Sequence, residues 1–252
     1  MKNILVITFA VLFSFGTQAQ RPKSVIKWFS IGLKGGYGNS ILINSDVSGD
    51  ENISMNYLTP SYFYGGRLTF TYGDKLGLGI EYNQSSFGQK YDIKNDAQLY
   101  NKNLKLKSRD LLIFLRLSGE SGGYLEIGPK FSTLKSVSVE NSVDDSFVSD
   151  NNFMDYYAPK YTGLMFGAGL SLVRTERFQA HLGFRSSYVF SDILAEHSDN
   201  AYILNDGVYR PSYLPANAKT TPFSLQFVLE AEYFFAFWGD AKCGRGRLMF
   251  FQ

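Results

Sequence analysis

The chain is poor in the residues that build most catalytic and metal centres: in 252 residues it has one cysteine, Cys243, and two histidines, His181 and His197. A single cysteine excludes an internal disulfide and any cysteine-based zinc site. Proline is scarce too, with 7 against 24 glycines, a balance that suits many strands and turns better than a helical domain. Beyond the N-terminus no apolar run approaches the ~20 residues that a membrane-spanning helix needs. The formal net charge of +2 is too small to argue for nucleic acid as a partner.

Aromatic side chains are abundant, with 17 Tyr and 22 Phe. The mean hydropathy of −0.14 would pass for a soluble protein. A transmembrane β-barrel gives the same value, because every second strand residue faces the lumen. The N-terminus reads as a secretory signal: Lys2, an apolar stretch over 4–16, and Thr17-Gln18-Ala19 as a small-residue cleavage site. The organisation expected is a signal peptide over 1–19, a barrel domain over 20–238 and a basic, aromatic periplasmic tail over 239–252.

The stretch 61–88 organises the rest. It reads as two strands joined at Gly73-Asp74-Lys75, a Gly-containing hairpin loop. Pairing across that turn sets Leu68 opposite Ile80 and Phe70 opposite Leu78 on one face. The other face carries Thr, Gly and Arg67 opposite Glu81. Further alternating runs cover 27–38, 105–117, 124–134, 161–173, 178–190 and 222–238. Pro129 predicts a bulge or local irregularity in the fifth strand. The connections 39–60, 89–104, 135–160 and 191–221 are long, whereas those at 73–75, 118–123 and 174–177 are short. This asymmetry, with the signal, points to an all-β, eight-stranded antiparallel up-and-down transmembrane barrel with short periplasmic turns and long extracellular loops. A lipocalin-type soluble barrel would place charge outside and apolar residues inside, the reverse of this pattern.

The inward face predicts ion pairs. Arg67 faces Glu81, Arg116 faces Glu126, and closure of the first strand on the last brings Lys34 toward Glu230 or Glu232. With Asp110, Lys130 and Arg185 also inward, the lumen should be filled by paired charges, since an unpaired buried charge costs several kcal/mol. Eight strands leave an interior wide enough only for side chains, so a general diffusion pore is not expected.

The segments IGLKGGYGNS (31–40), YGDKLGLGIEYNQSSFG (72–88), YLEIGPKFS (124–132) and LMFGAGLSL (164–172) resemble the PorT-like outer-membrane β-barrel proteins of Gram-negative bacteria. Two departures are Leu112-Ile113, where that family usually has a proline, and the absence of the name-giving member's distinctive N-terminal segment. The resemblance implies an outer-membrane barrel and, through the name-giving member, a link to protein secretion. It carries no catalytic signature.

Other candidates are weaker. His181 lies inward, within reach of Arg185 and of Ser171 across a hairpin, and could serve a lipid-modifying enzyme together with a carboxylate. No nucleophile motif accompanies it, and a hydrogen-bonded lumen histidine is the plainer reading. His197, a loop histidine beside Glu196 and Asp199, is the other candidate for a lipid-modifying enzyme, and lacks metal-ligand spacing. Asp144, Asp145 and Asp150 lack the repeat of a calcium loop and read as solvated charge, against which the basic stretch 90–109 could lean. In the tail, Lys242, Cys243, Arg245 and Arg247 are candidates for a periplasmic partner or anionic headgroups. The function expected is therefore non-enzymatic, without cofactor or metal: an envelope component with outer-membrane lipid and an envelope protein as partners.

Overall fold

Alternation of side chains becomes strand after strand, because a period of two puts successive residues on opposite faces of a pleated sheet. The computed structural model describes residues 26–48, 51, 53–72, 75–95, 98–141, 154, 157–194, 219–240 and 246–250. Within them run β1 (Ile26–Ile43), β2 (Ile53–Asn56), β3 (Thr59–Tyr72), β4 (Leu76–Asn95), β5 (Gln98–Ser118), β6 (Gly123–Asn141), β7 (Lys160–Arg174), β8 (Phe178–Val189), β9 (Thr221–Asp240) and β10 (Gly246–Phe250). Eight of these, β1 and β3 to β9, pair antiparallel in chain order, and β9 closes on β1. The short β2 pairs with β4 alongside β3, from Ile53↔Ile93 to Asn56↔Lys90. β10 adds to β9 at the turn end of the barrel.

The register fixes the shape of the ring. From Gln179 on β8 the paired residues run Glu232, Gly32, Arg67, Glu81, Leu112, Lys130, Gly163 and return to β8 at Val189, ten residues further on. With ~3.4 Å per residue and ~4.8 Å between strands, that stagger over eight strands tilts them by about 40°.

The wall is greasy outside and ionic inside, as the sequence pattern requires. Leu68 and Ile80 are 49% and 52% exposed, whereas Arg67 and Glu81 are 3% and 0%. This is the surface of a transmembrane barrel. Yet β4 and β5 hold 20 and 21 residues, about twice the 9–11 that a tilted strand needs to cross a bilayer. Along β4 the outward residues pass from Leu76, Leu78, Ile80 and Tyr82 to Gln84, Lys90 and Lys94. Inward residues change in the opposite sense, from Glu81 and Asn83 to Phe87, Tyr91 and Ile93. The polarity of the wall thus reverses where the barrel leaves the lipid. Above that level it packs like a soluble protein.

Several expectations are corrected here. The long connection over 89–104 does not exist as a loop: β4 continues to Asn95 and β5 begins at Gln98. Its polar outward residues looked like loop because a strand beyond the bilayer no longer needs a greasy exterior. The connection 39–60 is largely ordered, with the end of β1, a helical turn at Ser45–Ser48 and β2. Pro129, by contrast, gives the local irregularity expected of it: the β5–β6 ladder is unpaired there beside Ile113 and Phe114, with the register unchanged. The shifts occur at Lys107/Ser108, at Lys27/Phe29 and Phe29/Ser30, and at Ser171/Val173. Within the tail, Arg247 pairs in β10 with Gly239. The signal at 1–19, the acidic run at 144–150, His197, Lys242, Cys243 and Arg245 lie outside the described residues.

Candidate functional site: a lumen sealed in two storeys

The inner face of the membrane storey is rich in glycine, and that decides what else fits there. A Cβ on Gly79 would come within 2.2 Å of the Phe114 ring, and one on Gly36 within 2.2 Å of the Phe63 ring. The bare backbone lets each ring lie flat inside the wall. The rings in turn carry cations: the Arg67 guanidinium sits 4.4 Å from the Phe114 centroid and that of Arg185 4.6 Å from Phe63. Arg116 lies 4.2 Å over Tyr124. Cation–π contacts of this kind stabilise most where water is excluded.

The carboxylates converge on those cations. Glu126 receives Lys34 Nζ at 2.7 Å, Arg67 Nη1 at 2.9 Å and Arg116 Nε at 2.9 Å. Glu230 receives Lys34 at 3.0 Å, Arg67 at 2.8 Å and Arg116 at 2.8 Å. Glu81 is held by both terminal nitrogens of Arg185, by Asn83 Nδ2 and, at 3.6 Å, by Lys34. Glu232 accepts a hydrogen bond from Ser30 Oγ and takes Arg116 Nη1 at 3.2 Å. Slightly nearer the loop end, Lys130 pairs with Asp110 at 2.9 Å. Among the described residues, five cations therefore meet five carboxylates inside the membrane storey: Lys34, Arg67, Arg116, Lys130 and Arg185 against Glu81, Asp110, Glu126, Glu230 and Glu232.

The predicted pairs fare unevenly. Arg116–Glu126 and Lys34–Glu230 form as contacts and as register partners. Arg67 and Glu81 are register partners, but their side chains turn to other strands: Arg67 bonds Glu126 and Glu230 across the lumen, and Glu81 bonds Arg185. Glu232 serves Ser30 and Arg116, and Lys34 takes Glu230. Cross-strand spacing predicts who sits opposite whom. In a narrow lumen long side chains reach past their neighbours to the far wall.

The expectation of a lumen filled wholly by paired charge is also corrected. The loop-end storey holds an apolar core in which Leu42, Val47, Tyr91, Ile93, Leu104, Leu106 and Ile193 are essentially inaccessible to solvent. Tyr157, Ile193 and Leu194 close it from above, tied by Ala158 N–H donating to Ile193 O and Ile193 N–H to Thr220 O. Between the storeys lies a cavity of about 30 Å³ bordered by Asn83, Ser85, Asp110, Lys130, Arg185 and Tyr161, space for no more than a couple of water molecules.

His181 accepts or donates a 3.0 Å hydrogen bond between Nδ1 and Ser171 Oγ, and its Nε2 lies 3.5 Å from Glu232 Oε2. Tyr124 packs edge-on to its ring. His181, Glu230 and Glu232 are close enough together to share a metal ion. The chemistry argues against one, because Glu230 and Glu232 already face Arg67, Lys34 and Arg116, whose charge would repel it. Residues missed as pair members by sequence reasoning include Ser30 and Asn83, whose inward phase was the only signal available.

No family model and no curated protein sequence matches the chain. Among solved structures it is similar to the outer membrane protein OprG from Pseudomonas aeruginosa, at 13% identity and a TM-score of 0.43 over 83% of this chain and 97% of that one. It is also similar to Neisserial surface protein A, at 12% identity and a TM-score of 0.40 over 84% and 100%. The attachment invasion locus protein Ail of Yersinia pestis aligns at 12% identity and a TM-score of 0.38, over 83% and 100%.

Proposed function

We propose that this protein is an integral outer-membrane barrel that acts without catalysis as a structural and interaction component of the cell envelope. The observation that carries this is the double seal: a charge-balanced storey beneath an apolar one. Such a lumen offers no path for solutes, so what remains to act is the outside of the barrel and its two ends. The resemblance to PorT-like barrels supports a partner in the envelope, a secretion apparatus being the natural candidate. On this reading the C-terminal strand β10, paired along the end of β9, is the turn-side contact, and the loop-end storey is the contact on the other side.

Two measurements test this. In planar bilayers the folded protein should give no steady conductance; stable channels would end the sealed-lumen reading. Crosslinking and affinity capture from native membranes should recover an envelope partner whose yield falls when residues 239–252 or the loop-end connections are removed. A yield unchanged by either removal sinks the interaction role.

A lipid-modifying enzyme is the second reading, and Ser171–His181–Glu232 supports it, since a hydroxyl, an imidazole and a carboxylate stand in line. Ser171 Oγ also donates to Gly122 O at 3.1 Å, which holds it as a turn-fastening hydroxyl. Membrane lipid profiles that do not change on His181→Ala and Ser171→Ala would dispose of this alternative.

A further inference from the structure

The rim of the greasy belt differs around the barrel. On β1, β3, β4 and β8 its loop-side edge is tyrosine: Tyr37, Tyr62, Tyr64, Tyr82 and Tyr188, all exposed. On β5 to β7 the outward residues that follow Leu111, Phe131 and Leu164 include cations. Arg109, Lys107, Lys135 and Lys160 are all exposed there. The register brings them together. Arg109 pairs with Thr133, which pairs with Lys160, so the two cations share one row two strands apart, a spacing of ~10 Å. Lys107 lies two residues along β5 from Arg109, and Lys135 is the extra residue at the Lys107/Ser108 register shift, a bulge that adds its charge to the cluster. Lys105, next on the same face, is already engaged by Glu140 at 2.8 Å. Among the described residues no carboxylate bonds the other four.

We infer that Arg109, Lys107, Lys135 and Lys160 form a binding site for a phosphorylated lipid headgroup in the leaflet on the loop side. The inference rests on the membrane-spanning reading, because it is the end of the apolar belt that sets the depth of the cluster. Arg109 is one outward position beyond Leu111, ~5 Å higher along the barrel axis, at the level where lipid phosphates begin. A phosphomonoester carries close to two negative charges and several strong acceptor oxygens, which suits several cations converging from neighbouring strands. Tyrosine suits uncharged interfacial contact. The barrel therefore presents one side to phosphate and the other to the ordinary interface. Each basic residue near such a surface contributes about a fivefold gain in binding.

The test uses the full mature chain refolded in phosphatidylcholine vesicles with and without diphosphorylated lipid A, and lipid retained through detergent extraction is read by native mass spectrometry. Retention of the phosphorylated lipid should exceed that of its dephosphorylated form, and Lys107→Gln/Arg109→Gln/Lys135→Gln/Lys160→Gln should lower it roughly a hundredfold or more. The single variant Arg109→Gln, expected to lose about fivefold, decides the matter if the quadruple variant does not fold. Lys75→Gln, at the turn end, should leave retention unchanged. Equal retention of both lipid forms overturns the inference, as does indifference to the four substitutions, or competition by a soluble polysulfated sugar in place of lipid. Folding is scored separately by heat-modifiable gel migration: a chain that shows no heat shift in vesicles refutes the membrane reading itself.

Discussion

Removing the charge of Glu126 is the sharpest test of the sealed lumen. Its carboxylate lies within 2.7–3.7 Å of Lys34, Arg67, Arg116 and Arg185, so every lumen cation of the main network feels it. Glu126→Gln keeps the shape but turns one acceptor oxygen into an N–H₂ aimed at cations and leaves the storey one positive charge in excess. Breaking a buried pair from one side costs about 3–5 kcal/mol, which lowers the ratio of folded to unfolded chain by roughly a thousandfold. Urea titration of the refolded barrel in vesicles, read by heat-modifiable migration, measures this directly. Glu126→Gln with Lys34→Met removes one charge of each sign and leaves Arg67, Arg116 and Arg185 against Glu81, Glu230 and Glu232. The double variant should regain at least half of the loss, because its neutrality is restored. A single variant that costs less than about 1 kcal/mol, or a double variant that loses the sum of both changes, would mean that water screens these charges, and the plug would be no plug.

Lys130→Met should strand Asp110 without its 2.9 Å partner and cost about 3 kcal/mol, with most of it recovered on adding Asp110→Asn; the same titration reads both. Phe87→Ala opens the apolar storey beside Tyr161, whose ring it meets edge-on. It should cost about 3–5 kcal/mol while bilayer conductance stays at baseline, since the ionic storey is untouched. Gly79→Val should lower stability by about 1–3 kcal/mol or more by driving a side chain into Phe114. Phe114→Ala in the same chain should relieve that strain and leave a non-additive cycle.

Much of the membrane storey was legible from residue order alone. Arg67 opposite Glu81 and Arg116 opposite Glu126 follow from counting outward from a turn, and both registers hold. Lys34 beside Glu230 follows from closure of the ring. What could not be counted was where long side chains point. Arg67 forsakes Glu81 for two carboxylates on other strands, a choice set by lumen width and by the ring of Phe114 beneath it. The stretch 89–104 reads as a loop in sequence, and folds as strand, for another reason. Its outward lysines are the mark of a loop in lipid and of a strand in water, and sequence does not mark the height at which one solvent gives way to the other.

Periodicity, turn chemistry and the alternation of long and short connections were enough to determine a closed antiparallel wall, greasy outside and ionic within, because a period of two and the cost of unpaired backbone in lipid leave few alternatives. The tertiary structure alone decided how far that wall rises past the lipid, that its interior turns from ionic to apolar on the way, and which carboxylate each cation takes. These depend on stagger, tilt and reach across a narrow lumen, quantities that exist only once eight strands have met.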